Sequence, residues 1–399
     1  MIYSEYGRTG AQVSVVGFGG MRFDQSKSNE ENAQLLLYAQ SKGINYFDTA
    51  PGYCSDTSED IFGIALKQMA DTRDSYCVST KGMPTSINTA DMARRAVEKS
   101  IRRLNVDKID FYHVWCIRTV DQYELAMKKG GQYEGLLRCR DEGLLDNIVI
   151  STHLPGPQIE NILRRKEFEG VLLGVNILNF PYRWQGVQAA HELGLGVVAM
   201  NPLSGGLIPK HQKQLAFLSH GGQTPAEAAL RFCMNCDQIT VTLVGFTSKE
   251  HIDAACRVAE AAEPYTDEDI DRVRAHVSEN MNSLCTGCGY CMQSCPENVP
   301  IANYMQIYNE KPLLKRTDRE MREKIADNRI WGLLVDRAAD AGDCVECAAC
   351  EEACTQHLDI RERLKEIAGW EKKLHSRSAG FLRFAKKAKG KLKGLCRLT

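Results

Sequence analysis

Two runs of cysteine carry the most specific chemistry in this chain. Cys285, Cys288, Cys291 and Cys295 are spaced C-x2-C-x2-C-x3-C, and Cys344, Cys347, Cys350 and Cys354 repeat the pattern. Soft thiolates at such intervals close around a metal. Zinc also takes C-x2-C pairs, but a zinc site is complete with four ligands and needs no third Cys at x2 or fourth at x3. That pattern, present twice, points to two [4Fe–4S] clusters. The remaining cysteines lack it. Cys233 and Cys236 form a lone C-x2-C near a helix end, where packing is the simpler reading. Cys54 is a solitary thiol beside Tyr53.

The chain has 399 residues, sixteen of them cysteine, with 43% hydrophobic residues, 25% charged residues and a net charge of -1. That length asks for more than one core. The balanced charge gives no reason to expect nucleic acid. No stretch approaches the roughly 18–20 apolar residues of a membrane span. The first residues, MIYSEYGRTG, are polar and contain no apolar h-region. With cysteines bunched at metal spacings, a reducing cytoplasm fits better than extracellular disulfides.

A second set of polar residues lies far upstream, at the ends of apolar runs. Strand-like runs fall at 13–20, 44–50, 75–82, 109–116, 147–152, 171–178, 195–202 and 238–246. Helical patterns fall between them at 29–42, 57–70, 89–104, 155–165, 184–194, 224–235 and 249–262. Gly43, Pro155 and Pro225 punctuate the helix ends. This alternation predicts an α/β fold, a (β/α)8 TIM barrel, with a doubly wound open sheet as the competitor. No G-x-G-x-x-G opens the first helix, which counts against a dinucleotide version of the competitor. In a barrel the reactive residues gather at strand C-termini, where Asp48, Lys81 and Ser151 fall, with Tyr53 just beyond Asp48.

The segment GINYFDTAPGYCSDTSEDIFGIALK (43–67) resembles the aldo-keto reductase signature, in which an Asp, a Tyr and a downstream Glu and Gly recur. STKG (79–82), VAMNPLSGGL (198–207) and VGFTSKEHIDAA (244–255) resemble that family's strand-end lysine and late cofactor segments, in the same order. The resemblance spans most of residues 1–262. It implies NAD(P)H-dependent reduction of a small-molecule carbonyl. Tyr53 would donate the proton, Lys81 would lower its pKa, and Asp48 would hold Lys81. Ser151 would meet the nicotinamide carboxamide. Asn201, Pro202 and Leu203 would line the pyrophosphate path. Gly245, Thr247, Ser248 and Lys249 would take the adenosine side. NADP(H) is favoured over NAD(H) through Lys249, although His251 stands where NADP-type members usually place Arg. FMN is a further candidate, since such barrels bind its phosphate near strands seven and eight.

One position departs from the family pattern. Trp115 occupies the usual histidine position, five residues after Asp110. Indole donates a hydrogen bond but relays no proton. His113 lies two residues earlier on the same strand face, about 6.6 Å deeper at about 3.3 Å per residue, and reads as a satisfied interior histidine. His153 follows Ser151 and is a candidate to face the cleft or sit in a loop.

The cysteine runs resemble bacterial ferredoxin spacing. That likeness implies crossed ligation: Cys285, Cys288 and Cys291 with Cys354, and Cys344, Cys347 and Cys350 with Cys295. Spacing alone also allows the uncrossed pairing. Residues 296–343 read as mostly helical, like the helical ferredoxin modules of larger reductases. The expected organisation is a barrel over 1–265, a ferredoxin-type domain over 266–365 and a basic tail over 366–399. The tail, RSAGFLRFAKKAKGKLKGLCRLT from Arg377, reads as solvated, with docking on an anionic membrane surface or a redox partner as the alternative.

Three whole-protein readings follow. The barrel and the clusters form one electron path, with a redox protein as outside partner. Or the clusters are structural or sense redox state beside a carbonyl reductase. Or Trp115 leaves the barrel inactive, and the chain is an electron-carrier subunit. The first meets an obstacle, because nicotinamide releases two electrons as hydride whereas each cluster takes one.

Overall fold

A computed structural model describes residues 1–219, 222–261, 267–280, 285, 289–335, 337–354 and 358–374. The chain divides into two compact units, Met1–Val277 and Ser278–Thr399. The tail from Arg377 lies outside the described residues.

The first unit opens with a hairpin, β1 (Tyr3–Glu5) and β2 (Gln12–Ser14). Eight parallel strands follow: β3 (Val16–Gly19), β4 (Tyr46–Asp48), β5 (Cys77–Gly82), β6 (Ile109–Ile117), β7 (Leu145–Thr152), β8 (Gly170–Gly174), β9 (Gly196–Met200) and β10 (Val241–Gly245). They close in chain order, with β10 paired to β3. The expected (β/α)8 barrel is therefore present. The run 13–20 splits, because Val13 and Ser14 pair with the hairpin while Val16–Gly19 join the barrel. The run 171–178 ends early, at Gly174. Beyond it the Asn176 Oδ1 accepts the backbone N–H groups of Leu178 and Asn179, a side-chain turn that competes with further strand. β9 stops at Met200 because Asn201 is left-handed, with φ 65°.

The outer helices are α1 (Asn29–Ser41), α2 (Ser58–Gln68), α3 (Ala90–Leu104), α4 (Val120–Met127), α5 (Gln132–Asp141), α6 (Gly156–Leu163), α7 (Phe180–Glu192), α8 (Leu207–Lys210), α9 (Pro225–Asn235) and α10 (Lys249–Glu260). Ser28 and Thr224 cap α1 and α9 through capping boxes. α4 and α5 were not read from the sequence.

The barrel interior is layered. At the bottom the Tyr6 ring enters from the hairpin, stacks on Tyr46 and tilts against Phe111 at 4.3 Å. It occupies space that side chains at Gly170 and Gly196, the first residues of β8 and β9, would fill. Above this apolar plug the inward positions turn polar, with Asp48, Ser79, Lys81 and His113 all buried.

The second unit is helical. It contains α12 (Tyr290–Gln293), α13 (Ile301–Tyr308), α14 (Glu310–Leu314), α15 (Asp318–Trp331), α16 (Ala349–Glu352) and a helical stretch over 360–374, and the division at Val277 falls within α11 (Asp267–Asn280). Tyr304, Met305, Met321, Ile325, Ile367 and Trp370 form its core, together with Cys291 and Cys350. Among the described residues no helix is long and apolar enough to cross a membrane.

Candidate functional site

Strand register builds the centre of the barrel site. Asp48, the last residue of β4, pairs with Ser79 of β5. Lys81, two residues on, pairs with His113 of β6. Residues two apart on a strand share a face, so all four side chains point inward. The Lys81 ammonium donates to both Asp48 carboxylate oxygens. Ser79 Oγ donates to Asp48 Oδ2 at 2.8 Å and lies 2.7 Å from His113 Nε2. Burial works against both charges. It pushes the Asp48 carboxyl above its ordinary value and the Lys81 ammonium below, and each charge is the other's main compensation.

Tyr53 sits on the loop after β4, and that loop is strained. Gly52, Cys54, Ser55 and Asp56 all have positive φ, and a run of three such non-glycine residues is costly. Polar ties hold it. Asp56 Oδ1 accepts the Gly52 N–H at 2.9 Å. Arg103 of α3 bonds Asp56, Glu59 and Asp60 together. Buried Glu59 also accepts from Thr80 Oγ1, adjacent to Lys81 in β5. The recurrent Glu and Gly of the 43–67 segment thus have a physical role. Glu59 anchors the loop, and Gly63 lets α2 approach the Arg103 carbonyl, where a Cβ would collide.

The Lys81 ammonium lies 5.7 Å from the Tyr53 ring centroid. Trp115 meets the same ring edge to face at 5.7 Å. Lys81 is the cation placed to stabilise a Tyr53 phenolate, but other influences on the phenol outweigh it. Burial first, and the Asp48 charge second, push the phenol well above its ordinary value. A β-bulge between Val114 and Ile117, with Cys116 at φ 62°, follows His113. His113 therefore keeps its register with Lys81, one layer below Trp115. It is only half satisfied, because its Nδ1 has no hydrogen-bond partner among the described residues.

The remaining strand ends form a rim. Ser151 of β7 is buried, and its hydroxyl has no partner among the described residues. Asn176, which the sequence reading missed, is buried just past β8 and donates to the Asn201 carbonyl at 3.1 Å. Asn201, Pro202 and Leu203 begin a turn that continues through left-handed Ser204, Gly205 and Gly206. Gly245 ends β10 opposite Gly19, and a Cβ there would sit 2.7 Å from Arg22 Cγ. Ser248 stands at the N-cap position of α10 without a side-chain capping bond, Thr247 Oγ1 lies 3.1 Å from His251 Nδ1, and the Lys249 ammonium stacks over Tyr38 at 4.9 Å. His153 is partly exposed, and burial, then Arg183 and Arg118, pull its pKa down to about 3. Buried Arg183 donates to the carbonyls of His153, Leu154 and Gly174, tying the ends of β7 and β8 together.

In the second unit Cys295, Cys344, Cys347 and Cys350 line one cavity, with Arg361 beside them. The described parts of the two runs fold alike. Gly289 (φ 83°) precedes the short helix bearing Cys291, and Ala348 (φ 65°) precedes the one bearing Cys350. Asn309 clamps the backbone of Cys285 through two 2.7 Å hydrogen bonds. Cys354 packs against the same core. Cys288 lies outside the described residues. Among the described residues, no three His, Cys, Asp or Glu side chains converge on a single-ion site.

Comparison with known proteins decides the family. The model of the aldo/keto reductase family matches residues 15–278, more than half of the chain. The chain belongs to the aldo/keto reductase family. A 4Fe-4S dicluster domain matches residues 284–358. The chain is 25% identical to L-galactose dehydrogenase of Arabidopsis thaliana, over 62% of this chain and 84% of that protein. It is 26% identical to the uncharacterized oxidoreductase YrpG of Bacillus subtilis, over 65% and 91%. The holo form of aldo-keto reductase AKR11C1 from Bacillus halodurans superposes with a TM-score of 0.58, at 24% identity, over 70% of this chain and 96% of that one. An aldo-keto reductase from Klebsiella pneumoniae in complex with NADPH gives 0.57, at 18% identity, over 69% and 96%. This aldo-keto reductase is an oxidoreductase with an iron–sulfur domain appended to its barrel.

Proposed function

We propose that the barrel reduces a small carbonyl compound with NADP(H), and that the second unit holds two [4Fe–4S] clusters that exchange single electrons with a redox protein. The observation carrying the first part is the buried Lys81–Asp48 pair lying beneath the Tyr53 ring. Bound nicotinamide supplies a hydride to the carbonyl carbon. The developing alkoxide needs a proton, and Tyr53 Oη delivers it. Lys81 stabilises the phenolate that remains, and Asp48 keeps the ammonium in place. The unpartnered Ser151 hydroxyl suits the nicotinamide carboxamide, which offers both a donor and an acceptor. The left-handed turn after Asn201 and the α10 N-terminus suit the pyrophosphate and adenosine ends. Lys249 would have to leave the Tyr38 ring to reach a 2′-phosphate.

For the clusters, the shared cavity of Cys295 with Cys344, Cys347 and Cys350 supports the crossed set. Cys285, Cys288, Cys291 and Cys354 form the other. The clusters supply one-electron storage. Trp115 is the observation that favours a second reading, in which the barrel turns over slowly and the chain serves chiefly as an electron carrier.

The test is anaerobic purification with iron, sulfide and flavin counted on one sample, followed by NADPH oxidation against a panel of aldehydes and ketones. Turnover that falls about 100-fold or more in Tyr53→Phe supports the barrel chemistry. EPR on the same sample separates the readings of the second unit. Clusters reduced by NADPH alone join the two chemistries. Clusters reduced only by dithionite leave them with different electrons.

A further inference from the structure

The barrel contains a buried polar chain that the carbonyl chemistry above leaves unused. Ser79 and His113 reach neither the mouth nor any rim residue described. Yet both are buried and inward-facing, and a polar pair in a barrel core needs a reason.

The hydrogens can be assigned from the network. Ser79 has one hydroxyl proton and gives it to Asp48 Oδ2 at 2.8 Å. The 2.7 Å contact between Ser79 Oγ and His113 Nε2 therefore needs its proton from the imidazole. Donation runs from His113 to Ser79 to Asp48, and Asp48 also accepts from Lys81. The imidazole is neutral, since burial and the Lys81 charge hold its pKa well below the ordinary value. Its other nitrogen, Nδ1, has no partner among the described residues, so the chain ends there. A chain with a dead end supplies no protons. It can orient.

We infer that His113 is a positioning residue that acts through Ser79 to fix the Asp48 carboxylate, and with it the Lys81 ammonium beneath Tyr53. Register gives the reason. Asp48 opposes Ser79, and Lys81 opposes His113, on three adjacent strands. Without the imidazole donor, the Ser79 hydroxyl can rotate away from Asp48. The carboxylate then keeps only its bonds from Lys81, and the ammonium loses its single pose. The inference rests on the reading that the Asp48–Lys81 pair serves Tyr53.

The test uses the full chain with its clusters. His113→Leu removes the donor and keeps much of the bulk. His113→Gln places an amide N–H near the position of Nε2. Ser79→Ala cuts the chain at its centre. His113→Leu and Ser79→Ala should each lower kcat about tenfold, with KM for NADPH and the carbonyl unchanged within about twofold. His113→Gln should recover most of the loss. The double variant should be no worse than the worse single one, because both cut one chain. Additive losses, a loss carried by KM, or no rescue by Gln would overturn the inference. If His113→Leu does not fold, Ser79→Ala and His113→Gln still decide it.

A second readout needs no turnover. In protein labelled with [15N]histidine, His113 should carry its proton on Nε2, and Ser79→Ala should shift that resonance. A proton on Nδ1, or a resonance indifferent to Ser79→Ala, contradicts the inference. Wild-type protein that turns over no carbonyl, while the NMR result holds, sinks the carbonyl reading and leaves the positioning chain standing.

Discussion

The Tyr53 and Trp115 rings meet edge to face, with centroids 5.7 Å apart and planes at 85°. Trp115 thus shapes the wall against which Tyr53 rests. Such a pair is worth about 0.5–1.5 kcal/mol beyond its buried area. Trp115→Phe should keep turnover within about threefold, because a ring remains. Trp115→Ala should raise KM for small aldehydes about tenfold and leave the dithionite-reduced EPR spectrum unchanged. Steady-state kinetics on three aldehydes of increasing size checks this.

Lys81 and Asp48 are buried together, so removing one strands the other. Lys81→Met should abolish carbonyl turnover and lower stability by about 3–5 kcal/mol. Asp48→Asn should cost less stability, since the amide still accepts from Lys81, and should lower turnover by misplacing the ammonium. Urea unfolding of each variant beside its kinetics tests the order.

His153 gives a pH dependence with a definite sign. Its native pKa is pulled down to about 3 from an ordinary 6.5. Below pH 6.5 the unfolded chain takes up a proton that the native chain refuses. The native state therefore loses stability as pH falls from 6.5 towards 3, by at most about 1.4 kcal/mol per unit. Partial exposure of the residue reduces that figure. His153→Asn should flatten this limb of the stability profile. Denaturant midpoints at several pH values would show it, and parallel profiles for the two proteins would contradict it.

Gly63 lies where α2 crosses the Arg103 carbonyl. Gly63→Ala should separate the helices at about 1–3 kcal/mol and loosen the Arg103 grip on Asp56, Glu59 and Asp60. Turnover should fall with it, because those carboxylates hold the Tyr53 loop. A stability loss with kcat untouched would separate the loop from the chemistry.

The crossed ligation has its own test. Cys295→Ser should remove the same EPR signal as Cys347→Ser, although Cys295 belongs to the other run. Cys354→Ser should match Cys291→Ser. Pairing within each run would give the opposite grouping.

Much of this was legible before any coordinates. Parallel barrel strands are buried on both faces, so they appear as apolar runs that alternation and length can find. The cysteine runs needed only their spacing. α4 and α5 were missed because 118–144 is rich in charge and its apolar residues are sparse. The hairpin was missed because its β1 strand is short and exposed. His113 was placed at the right depth, but its partner could not be seen. That partner is Ser79, on the neighbouring strand, and only register joins them. Asn176 was missed because it follows the strand end as an ordinary turn residue.

The proposed reaction is hydride transfer to a carbonyl in the barrel, with Tyr53 as proton donor. The most direct measurement is mass spectrometry of the alcohol formed from an aldehyde and 4-deuterated NADPH of each stereochemistry, under anaerobic conditions. One deuterium should appear on the former carbonyl carbon from one stereoisomer only, and Tyr53→Phe should form that alcohol far more slowly. Alcohol without deuterium from either isomer, or equal rates in both proteins, would contradict it.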